Sequence, residues 1–399
     1  MKSNYDTLGN HIQLVDRRNS ESITDKVLGI NIDKFFMPSV ANVIGTDLSK
    51  YKLLEKNTFA CNPMHVGRDE RLPIALYSED TPAIVSPAYF MFEISEQSAL
   101  MPEFLMMWFR RPEFDRSCWF RTDGSVRGGI TWEDICRLEV PVPSKGEQLE
   151  IIASYKVITE IIALKQKIND NLAKTIKTVF KSWFLDFDAY DDAELVPSQY
   201  GLIPNGWHYE LLGNLCECVT KGTTPTTLGK DFTDTGINFI KGESINDDHS
   251  FNKSLFAHID DETDGLLKRS RIYTNDIVFT IAGTLGKFAL VDSSVIPANT
   301  NQAVAIIRTN KIMPAMLYSY FIGEWQVEFY KRNTQQAVQA NLSLGTIKDL
   351  PILLPDSKGQ NRYTQLVIPL ITGMQSNFAE IERLYELQNQ LLARLSSSC

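Results

Sequence analysis

Residues 146–187 constrain the fold most, because their apolar side chains recur every three or four positions. These side chains are Ile161, Leu164, Ile168, Leu172, Ile176, Val179 and Trp183. This period places them on one face of an α-helix. The other positions are mostly polar or charged, so the apolar face is narrow and favours a helix–helix seam over packing on a sheet. At ~1.5 Å per residue, about 40 helical residues span roughly 60 Å, and a rod of that length needs a partner.

A second helical pattern near the C-terminus, over residues 365–395, is the predicted partner. Its apolar positions are Leu370, Met374, Phe378, Ile381, Leu384, Leu387, Leu391 and Leu395. Pro369 and Gly373 lie in its first turns, where they weaken a helix. We therefore expect the second helix to be the shorter one, and to cover the first incompletely.

The two halves of the sequence align with each other. Residues 8–10 (LGN) recur as residues 212–214, an offset of 204. Residues 100–102 (LMP) align with residues 312–314 (IMP) at an offset of 212. The same offset relates Phe109 to Phe321, Val126 to Val338, Ile130 to Leu342, Ile135 to Ile347, Leu138 to Leu350 and Pro143 to Pro355. A period this long indicates a duplicated domain rather than a solenoid.

This order predicts an α+β protein with a pseudo-two-fold internal repeat. Two similar mixed α/β domains are separated by two long antiparallel helices that form a coiled-coil spacer. Antiparallel pairing needs the shorter connection and places the domains at opposite ends of the spacer. Two similar heads at a fixed separation suit a DNA target with two half-sites. The expected boundaries are 1–143 for the first domain, 144–190 for the first helix, 191–355 for a linker plus the second domain, and 356–399 for the second helix.

Within the first domain, short apolar and β-branched runs predict strands, and Pro102 at a first turn predicts a helix. The strands are expected at residues 53–61, 83–94 and 138–142, and the helix at residues 102–110.

Charge and cysteine content restrict the class of protein. The net charge of −9 on 399 residues argues by itself against a nucleic-acid binder. Acidic residues cluster at 186–194 and 247–264, however, so basic stretches remain elsewhere and local fields decide binding. The six cysteines are scattered, which is typical of reduced thiols in the cytoplasm. No apolar run reaches transmembrane length, and the N-terminus lacks a signal-peptide core, so we expect no membrane partner.

Several segments resemble one protein family, the specificity subunits of type I restriction–modification systems. Residues 181–215 (KSWFLDFDAYDD to LLGNL) resemble the end of the family's central conserved region and the start of its second recognition domain. Pro143 with Glu147-Gln148 resembles the family's entry into the helix, whereas residues 358–361 (KGQN) lack the Glu-Gln pair. Five further segments resemble parts of the family's recognition domains: residues 59–63, 85–89, 123–126, 221–225 and 236–240.

The resemblance covers essentially the whole chain and implies a non-catalytic subunit that has no cofactor of its own. Each domain would be a target recognition domain that reads one half of a bipartite sequence in double-stranded DNA. The helices would set the gap between the halves and dock two methyltransferase subunits. Motor–nuclease subunits would join that core.

Motifs for catalysis or metal binding are incomplete in this sequence. Residues 62–64 (NPM) lack the second proline and the aromatic residue of a methyltransferase motif. Residues 283–287 lack the spacing of a phosphate-binding loop and are interpreted as a turn between strands. Cys216 and Cys218 with His208, or Cys61 with His65, lack the paired spacing of a zinc site and are interpreted as buried thiols.

Basic residues interleaved with polar or aromatic ones are the predicted DNA contacts, because Arg and Lys bind phosphate and Arg and Gln read base edges. In the first domain they are Arg68, Arg71, Arg110, Arg111, Arg116, Arg121 and Arg127. In the second domain they are Lys221, Thr223, Thr224, Lys268, Arg269, Arg271, Lys331, Arg332, Gln335, Gln336 and Gln339. Residues 331–339 align with 119–127 at the offset of 212, so one position is basic in both domains.

The alternative interpretation of these clusters is a solvated face or a shared structural loop, with Trp119 and Phe120 in the core. Two other functions also stay open. A stand-alone modification enzyme would transfer methyl groups to DNA without a partner, and a scaffold that docks only proteins would leave no bipartite footprint on DNA. Because the net charge is negative, we expect the free subunit to bind DNA weakly.

Overall fold

The computed structural model describes residues 5–40, 45–64, 66–122, 128–190, 192–327 and 341–395. The chain forms two compact units. Unit 1 contains residues 1–162 and 382–399, and unit 2 contains residues 163–381. Both units combine helices with sheets, so the fold is mixed α/β. No helix in the described ranges is both long enough and apolar enough to cross a bilayer.

The globular part of unit 1 is built from short strands and short helices that precede the first long helix. In chain order its strands are β1 Tyr5–Thr7, β2 Ile12–Leu14, β3 Leu28–Ile30, β4 Phe36–Pro38, β5 Lys52–Leu54, β6 Phe59–Cys61, β7 Ile74–Leu76, β8 Ala83–Val85, β9 Phe90–Ile94 and β10 Glu139–Pro141. Its helices are α1 Val66–Asp69, α2 Pro102–Phe109, α3 Pro112–Trp119 and α4 Trp132–Cys136, and α5 Lys145–Phe184 is the first long helix.

The globular part of unit 2 has a similar composition of elements. Its strands are β11 Leu195–Ser198, β12 Gly201–Pro204, β13 His208–Leu211, β14 Cys216–Lys221, β15 Ile237–Ile240, β16 Ala257–Ile259, β17 Ile277–Thr280, β18 Phe288–Leu290, β19 Ala298–Thr300, β20 Val304–Thr309 and β21 Pro351–Leu354. Its helices are α6 Asp261–Leu266, α7 Pro314–Ile322 and α8 Leu344–Lys348, and α9 Ser357–Arg394 is the second long helix.

Each unit contains a four-stranded antiparallel sheet, and the two sheets have the same strand order. In unit 1 the order is β2-β9-β6-β7, and in unit 2 it is β14-β20-β17-β18. If the four strands of each sheet are numbered in chain order, both sheets have the spatial order 1-4-2-3. Each unit also pairs the strand before its LGN tripeptide with the last strand before its long helix, β1 with β10 and β13 with β21.

The repeated LGN tripeptide has the same packing role in both units. A Cβ atom on Gly9 would lie 2.9 Å from Cys136 Cβ, and one on Gly213 would lie 3.0 Å from Lys348 Cβ. Glycine is required at both positions because α4 and α8 approach the backbone so closely. The preceding leucines donate matching backbone hydrogen bonds, which explains why this tripeptide recurs.

Two predicted strands of the first domain are each divided into two. The expected strand at 53–61 is β5 and β6, joined by a turn in which Asn57 has a φ of 67°. The expected strand at 83–94 is β8 and β9. The apolar runs alone did not show where the chain reverses, whereas Asn tolerates the left-handed backbone of such a turn. The helix expected at 102–110 is observed as α2.

The second long helix is not short, and it starts close to the expected boundary at residue 356, before the apolar pattern that begins at residue 365. It begins at Ser357 and has 38 residues, against 40 in the first long helix. Pro369 lies inside this helix and has no backbone N–H, so the carbonyl of Gln365 loses its helical hydrogen bond. Both residues are exposed. Because that carbonyl lies at the surface, it is open to solvent and proline is tolerated there.

The buried face of the first long helix also differs from the predicted apolar stripe. Leu164 and Ile168 are exposed, with 58% and 39% of their surface accessible. The predicted positions Ile176 and Trp183 are buried, and so are Ile158, Ile162 and Asn169, which lie outside the predicted stripe. The prediction placed apolar side chains in the seam, but polar ones occupy part of it.

Those polar side chains bond to the second long helix. In unit 2, Asn377 Nδ2 donates to Asn169 Oδ1 at 2.8 Å, and Asn169 Nδ2 donates to the Met374 carbonyl at 3.4 Å. In unit 1, Gln388 Nε2 donates to Thr159 Oγ1 at 2.7 Å. A buried amide is stable when its hydrogen bonds are made, so the seam tolerates these residues.

At the start of each long helix a glutamine side chain donates a hydrogen bond to a proline carbonyl, a contact named here the amide lock. The second helix has this contact although its sequence lacks the Glu-Gln pair. Gln148 accepts from Met101 N at 2.8 Å and donates to the carbonyls of Ala99 and Pro143 at 3.0 and 2.9 Å. At the offset of 212, Gln360 donates to the Pro355 carbonyl at 2.9 Å. Glu147, which has no counterpart in the second helix, caps the first helix by accepting from the Ser144 N–H. In the second helix the carboxylate of Asp356 is the cap and accepts from the Gly359 N–H.

The lock at Gln148 predicts a stability loss. Gln148→Ala would leave one buried N–H and two carbonyls without partners, which we expect to lower the free energy of unfolding by about 3 kcal/mol. Urea unfolding of the purified chain measures this change. Gln390→Ala, at an exposed position of the second long helix, is the matched control and should change little. Equal unfolding midpoints for the two variants would contradict the role of the lock.

Candidate nucleic-acid interface

One edge of the unit 2 sheet collects loops that are far apart in sequence. β14 ends at Lys221 opposite Ala305 of β20, and β17 ends at Thr280 opposite Val304 of β20. The loops 222–229, 281–287 and 301–303 therefore leave the sheet at this edge, named here the unit 2 loop edge. The backbone N–H of Leu342 also bonds to the Ile281 carbonyl at 3.0 Å.

The predicted residues Lys221, Thr223 and Thr224 lie on this edge. Lys221 is exposed, and the two threonines are half-buried. Thr224 Oγ1 donates to Gln302 Oε1 at 2.5 Å, a contact between residues 78 positions apart. Gln302 is exposed and is a polar group of the edge that the sequence analysis missed, since nothing in the sequence links it to Thr224.

The basic turn Lys268–Ser270 is attached beside the same edge. Ser270 Oγ donates to Asn299 Oδ1 at 2.7 Å, and Asn299 directly precedes Thr300. Lys268 and Arg269 are exposed there. Arg271 differs from them because its Nε donates to the buried carboxylate of Asp264 at 2.7 Å, which holds the guanidinium against the protein.

The edge also carries a turn that is closed by an aromatic stack. His249 lies on the Phe288 ring with a centroid separation of 4.1 Å, and its φ is 70°. Burial lowers the pKa of His249 below its ordinary value of 6.5, and Asp248 opposes this effect only in part. Beside it, Lys287 pairs with Asp247 at 3.0 Å.

The lowered pKa of His249 predicts a pH-dependent stability. Below about pH 6.5 the unfolded chain binds a proton at His249 more readily than the folded chain does, so acidification lowers the free energy of unfolding. The slope from this group is at most ~1.4 kcal/mol per pH unit. His249→Asn, which tolerates the left-handed backbone, should remove this part of the slope in urea unfolding between pH 7.5 and 5. If the free energy of unfolding changes equally with pH in the wild type and in His249→Asn, the predicted contribution of His249 is refuted.

Unit 1 has a corresponding edge, named here the unit 1 loop edge. β6 ends at Cys61 opposite Phe90 and Ile74, so the connection 62–73 leaves the sheet there. The backbone N–H of Gly67 bonds to the Gly128 carbonyl at 2.9 Å, and that of Ile130 bonds to the Pro63 carbonyl at 3.1 Å. The segment that carries Arg68 and Arg71 thus meets the chain that returns from the second arginine cluster.

Four predicted arginines are accessible at this edge or on the helix leading to it. Arg68 pairs with Asp69, and Arg71 pairs with Asp33 at 2.9 Å. Arg116 is exposed and contacts Glu113 at 3.3 Å, and Arg121 is exposed and donates to the Ser117 carbonyl at 3.1 Å. These local pairs leave the guanidinium groups near solvent.

Arg110 and Arg111 have structural contacts instead. Only 4% of Arg111 is exposed, and its guanidinium lies 4.0 Å from the centroid of the Trp108 ring. The predicted DNA contact of Arg111 is therefore inconsistent with its position, because a phosphate cannot reach it. Arg110 lies over the Tyr155 ring of the first long helix at 5.8 Å. The sequence could not separate these two from their neighbours because all are arginines of one run.

A buried carboxylate fixes the unit 1 loop edge. Asp115 Oδ1 accepts from Lys34 Nζ at 2.8 Å and from the backbone N–H of Leu72 at 3.0 Å. Burial lowers the pKa of Lys34, while the charge of Asp115 opposes that shift. Asp115 thus joins helix α3 to the residue after Arg71.

Trp119 and Phe120 lie at the end of helix α3 and are not in the core. Phe120 is 85% exposed, so the alternative that placed both rings in the core was wrong. Exposed aromatic rings beside arginines are suited to contact with bases. Arg127, Lys331, Arg332, Gln335, Gln336 and Gln339 lie outside the described residues.

The cysteines lack a metal-binding arrangement in the described part of the chain. No group of three or more His, Cys, Asp or Glu side chains there could hold a metal ion. Burial raises the pKa of the Cys61 thiol to about 12, and that of Cys216 also to about 12. His65 lies outside the described residues. Residues 283–287 connect β17 to β18, as expected for a turn between strands.

Comparison with known proteins finds similarity to one family. The family model for the type I restriction modification DNA specificity domain matches residues 204–375. The HindI specificity subunit of Haemophilus influenzae is 22% identical over 98% of this chain and 97% of that protein. The MjaIX specificity subunit of Methanocaldococcus jannaschii is 22% identical over 68% of this chain and 63% of that protein.

A solved structure shares the fold. The crystal structure of the S subunit of a type I restriction–modification system from M. genitalium has a TM-score of 0.53 and 16% identity. The alignment covers 98% of this chain and 95% of that one. At this identity the match supports the mixed α/β fold over nearly the whole length.

Proposed function

We propose, from the premise that this chain belongs to the family of type I restriction–modification specificity subunits, that its two units read the two halves of a bipartite target in double-stranded DNA. The family recognises DNA and is not catalytic. In this proposal the unit 1 and unit 2 loop edges face the DNA, and the two long helices form the spacer between two target recognition domains. The observation that carries it is the shared strand order of the two sheets, which repeats one scaffold with different loops.

The different chemistry of the two loop edges supports separate half-sites. The unit 1 loop edge offers arginines and exposed aromatic rings, whereas the unit 2 loop edge offers lysine, threonine and glutamine side chains. A common scaffold with unlike loops is what reading two different sequences requires, because strands hold position and loops vary. Phosphate contacts would position each unit, and base contacts would specify the sequence.

The proposed phosphate contacts predict a loss of binding. Arg68→Ala combined with Arg121→Ala should lower the affinity of the assembled complex for all DNA sequences about equally, by roughly tenfold or more at physiological salt. The slope of log affinity against log salt should fall by about 2, because two phosphate contacts are lost. Fluorescence anisotropy over a salt series measures both quantities.

Arg383→Ala is the control for this prediction, because Arg383 is an exposed arginine of the second long helix in the same unit. It should leave both affinity and salt slope unchanged. If the double variant binds like the control, unit 1 does not contact DNA through this edge. Footprinting of the wild-type complex on its selected target should show two protected segments with a gap between them.

We further propose that the first long helix docks methyltransferase subunits, and that motor–nuclease subunits join that core. The support is an apolar stripe that faces solvent on this helix, at spacings of four, three and four residues: Val157, Ile161, Leu164 and Ile168. A regular exposed stripe on a helix is typical of a protein interface. As part of a complex that acts on cellular DNA, the subunit would work in the cytoplasm.

The proposed stripe predicts an assembly defect. Leu164→Glu would place a carboxylate in an apolar contact, and we expect methyltransferase binding to weaken at least tenfold. Co-purification and isothermal titration with the methyltransferase subunit test this. Lys174→Glu, an exposed position of the same helix outside the stripe, should bind normally. Normal binding by Leu164→Glu would exclude this face as the docking surface.

The shared scaffold and its unlike loop edges favour DNA recognition over a purely structural scaffold role. A scaffold would leave no footprint, and a stand-alone modification enzyme would methylate mixed DNA from S-adenosylmethionine without a partner. The methylation assay uses the purified chain alone, whereas the footprint uses the assembled complex.

A further inference from the structure

The contact between Thr224 and Gln302 joins two loops of the unit 2 loop edge. Thr224 Oγ1 donates to Gln302 Oε1 at 2.5 Å. Gln302 is exposed, while Thr224 is half-buried below it. In this arrangement the amide oxygen of Gln302 faces the hydroxyl, and its amide nitrogen is directed away from it.

The two loops that carry this pair are tightly joined. The backbone N–H of Gly222 bonds to the Asn301 carbonyl at 3.0 Å, and a Cβ atom on Gly222 would lie 1.6 Å from the Thr300 carbonyl oxygen. Only glycine permits this approach. Thr300 Oγ1 in turn donates to the Ile240 carbonyl at 2.7 Å, inside the unit. The geometry of the pair is thus set by backbone packing before any ligand binds.

The inner turn is fixed as well. Thr227 Oγ1 donates to the Thr224 carbonyl at 2.7 Å, and the backbone N–H of Ala303 bonds to Asn301 Oδ1 at 3.0 Å. Such rigidity on both sides of an exposed amide is not needed for stability at a surface. It is what base readout requires, because a fixed amide loses little side-chain entropy on binding.

The chemistry of this amide selects one base. Gln302 Oε1 keeps one lone pair after it accepts from Thr224, and its amide nitrogen keeps its donors. Adenine presents the complementary pair in the major groove, the N6 donor and the N7 acceptor. Guanine presents two acceptors there, so the remaining oxygen lone pair would have no partner. Lys221, exposed on the same edge, supplies a cation for a phosphate.

Building on the proposed DNA-recognition function, we infer that Gln302, oriented by Thr224, reads one adenine in the half-site contacted by unit 2. Gln302 would touch the base, and Thr224 would act through it as a positioning residue. Gly222 sets the approach of the two loops.

The test selects bound sequences from a randomised bipartite DNA library with the complete complex of this chain and its methyltransferase subunits. Gln302→Ala should lose preference at a single A·T pair in one half-site, with a roughly 5- to 150-fold fall in affinity for the original target. Gln302→Glu, which only accepts hydrogen bonds, should shift preference at that position toward cytosine, whose N4 group donates. Thr224→Val should relax the same position more weakly.

Thr226→Val, an exposed threonine of the same turn, is the matched control and should keep the original preference. Thermal unfolding of each variant checks that unit 2 is intact. Unchanged preferences in both Gln302 variants would overturn the inference, as would changes at a G·C pair or in both half-sites. If the wild-type complex selects no bipartite sequence, the proposed function fails instead, and the two failures are thereby distinguished.

Discussion

Amide side chains anchor the starts of the long helices, and the rest of the structure depends on those anchors. Gln148 ties the start of the first long helix to the loop before α2, and Gln360 ties the start of the second to the end of β21. Each amide bonds to backbone groups near the helix start that would otherwise lack a hydrogen-bond partner. The start of each long helix is therefore held in place against its own domain.

Polar contacts also shape the seam of the helices. Asn169 and Asn377 bond to each other inside unit 2, and Thr159 bonds to Gln388 inside unit 1. A buried polar pair is satisfied in one register only, so it specifies alignment more sharply than apolar packing does. Because Asn169 is buried in the seam, Leu164 is left exposed on another face of the same helix.

The loop edges show how one scaffold can carry two different sets of loops. In both units an antiparallel sheet of the same order presents its loops at one end, and interior contacts hold those loops in place. Asp115 performs this role in unit 1, and the glycine contact at Gly222 does so in unit 2. The anchoring residues are buried, whereas the residues proposed to meet DNA are exposed. Recognition can therefore change without loss of the fold.

The sequence by itself determined the two helical regions and the long internal period, because these are encoded in spacing along the chain. Periodicity reports which residues share a face, and the LGN tripeptide recurs because helix packing requires glycine in each unit. Tertiary structure alone decided that Asn169, rather than Leu164 and Ile168, is buried on the first long helix, where its amide bonds to Asn377. It also decided that Arg111 stacks on Trp108 while Arg116 meets solvent, and that Thr224 meets Gln302. Those outcomes depend on contacts between distant residues, which no local pattern encodes.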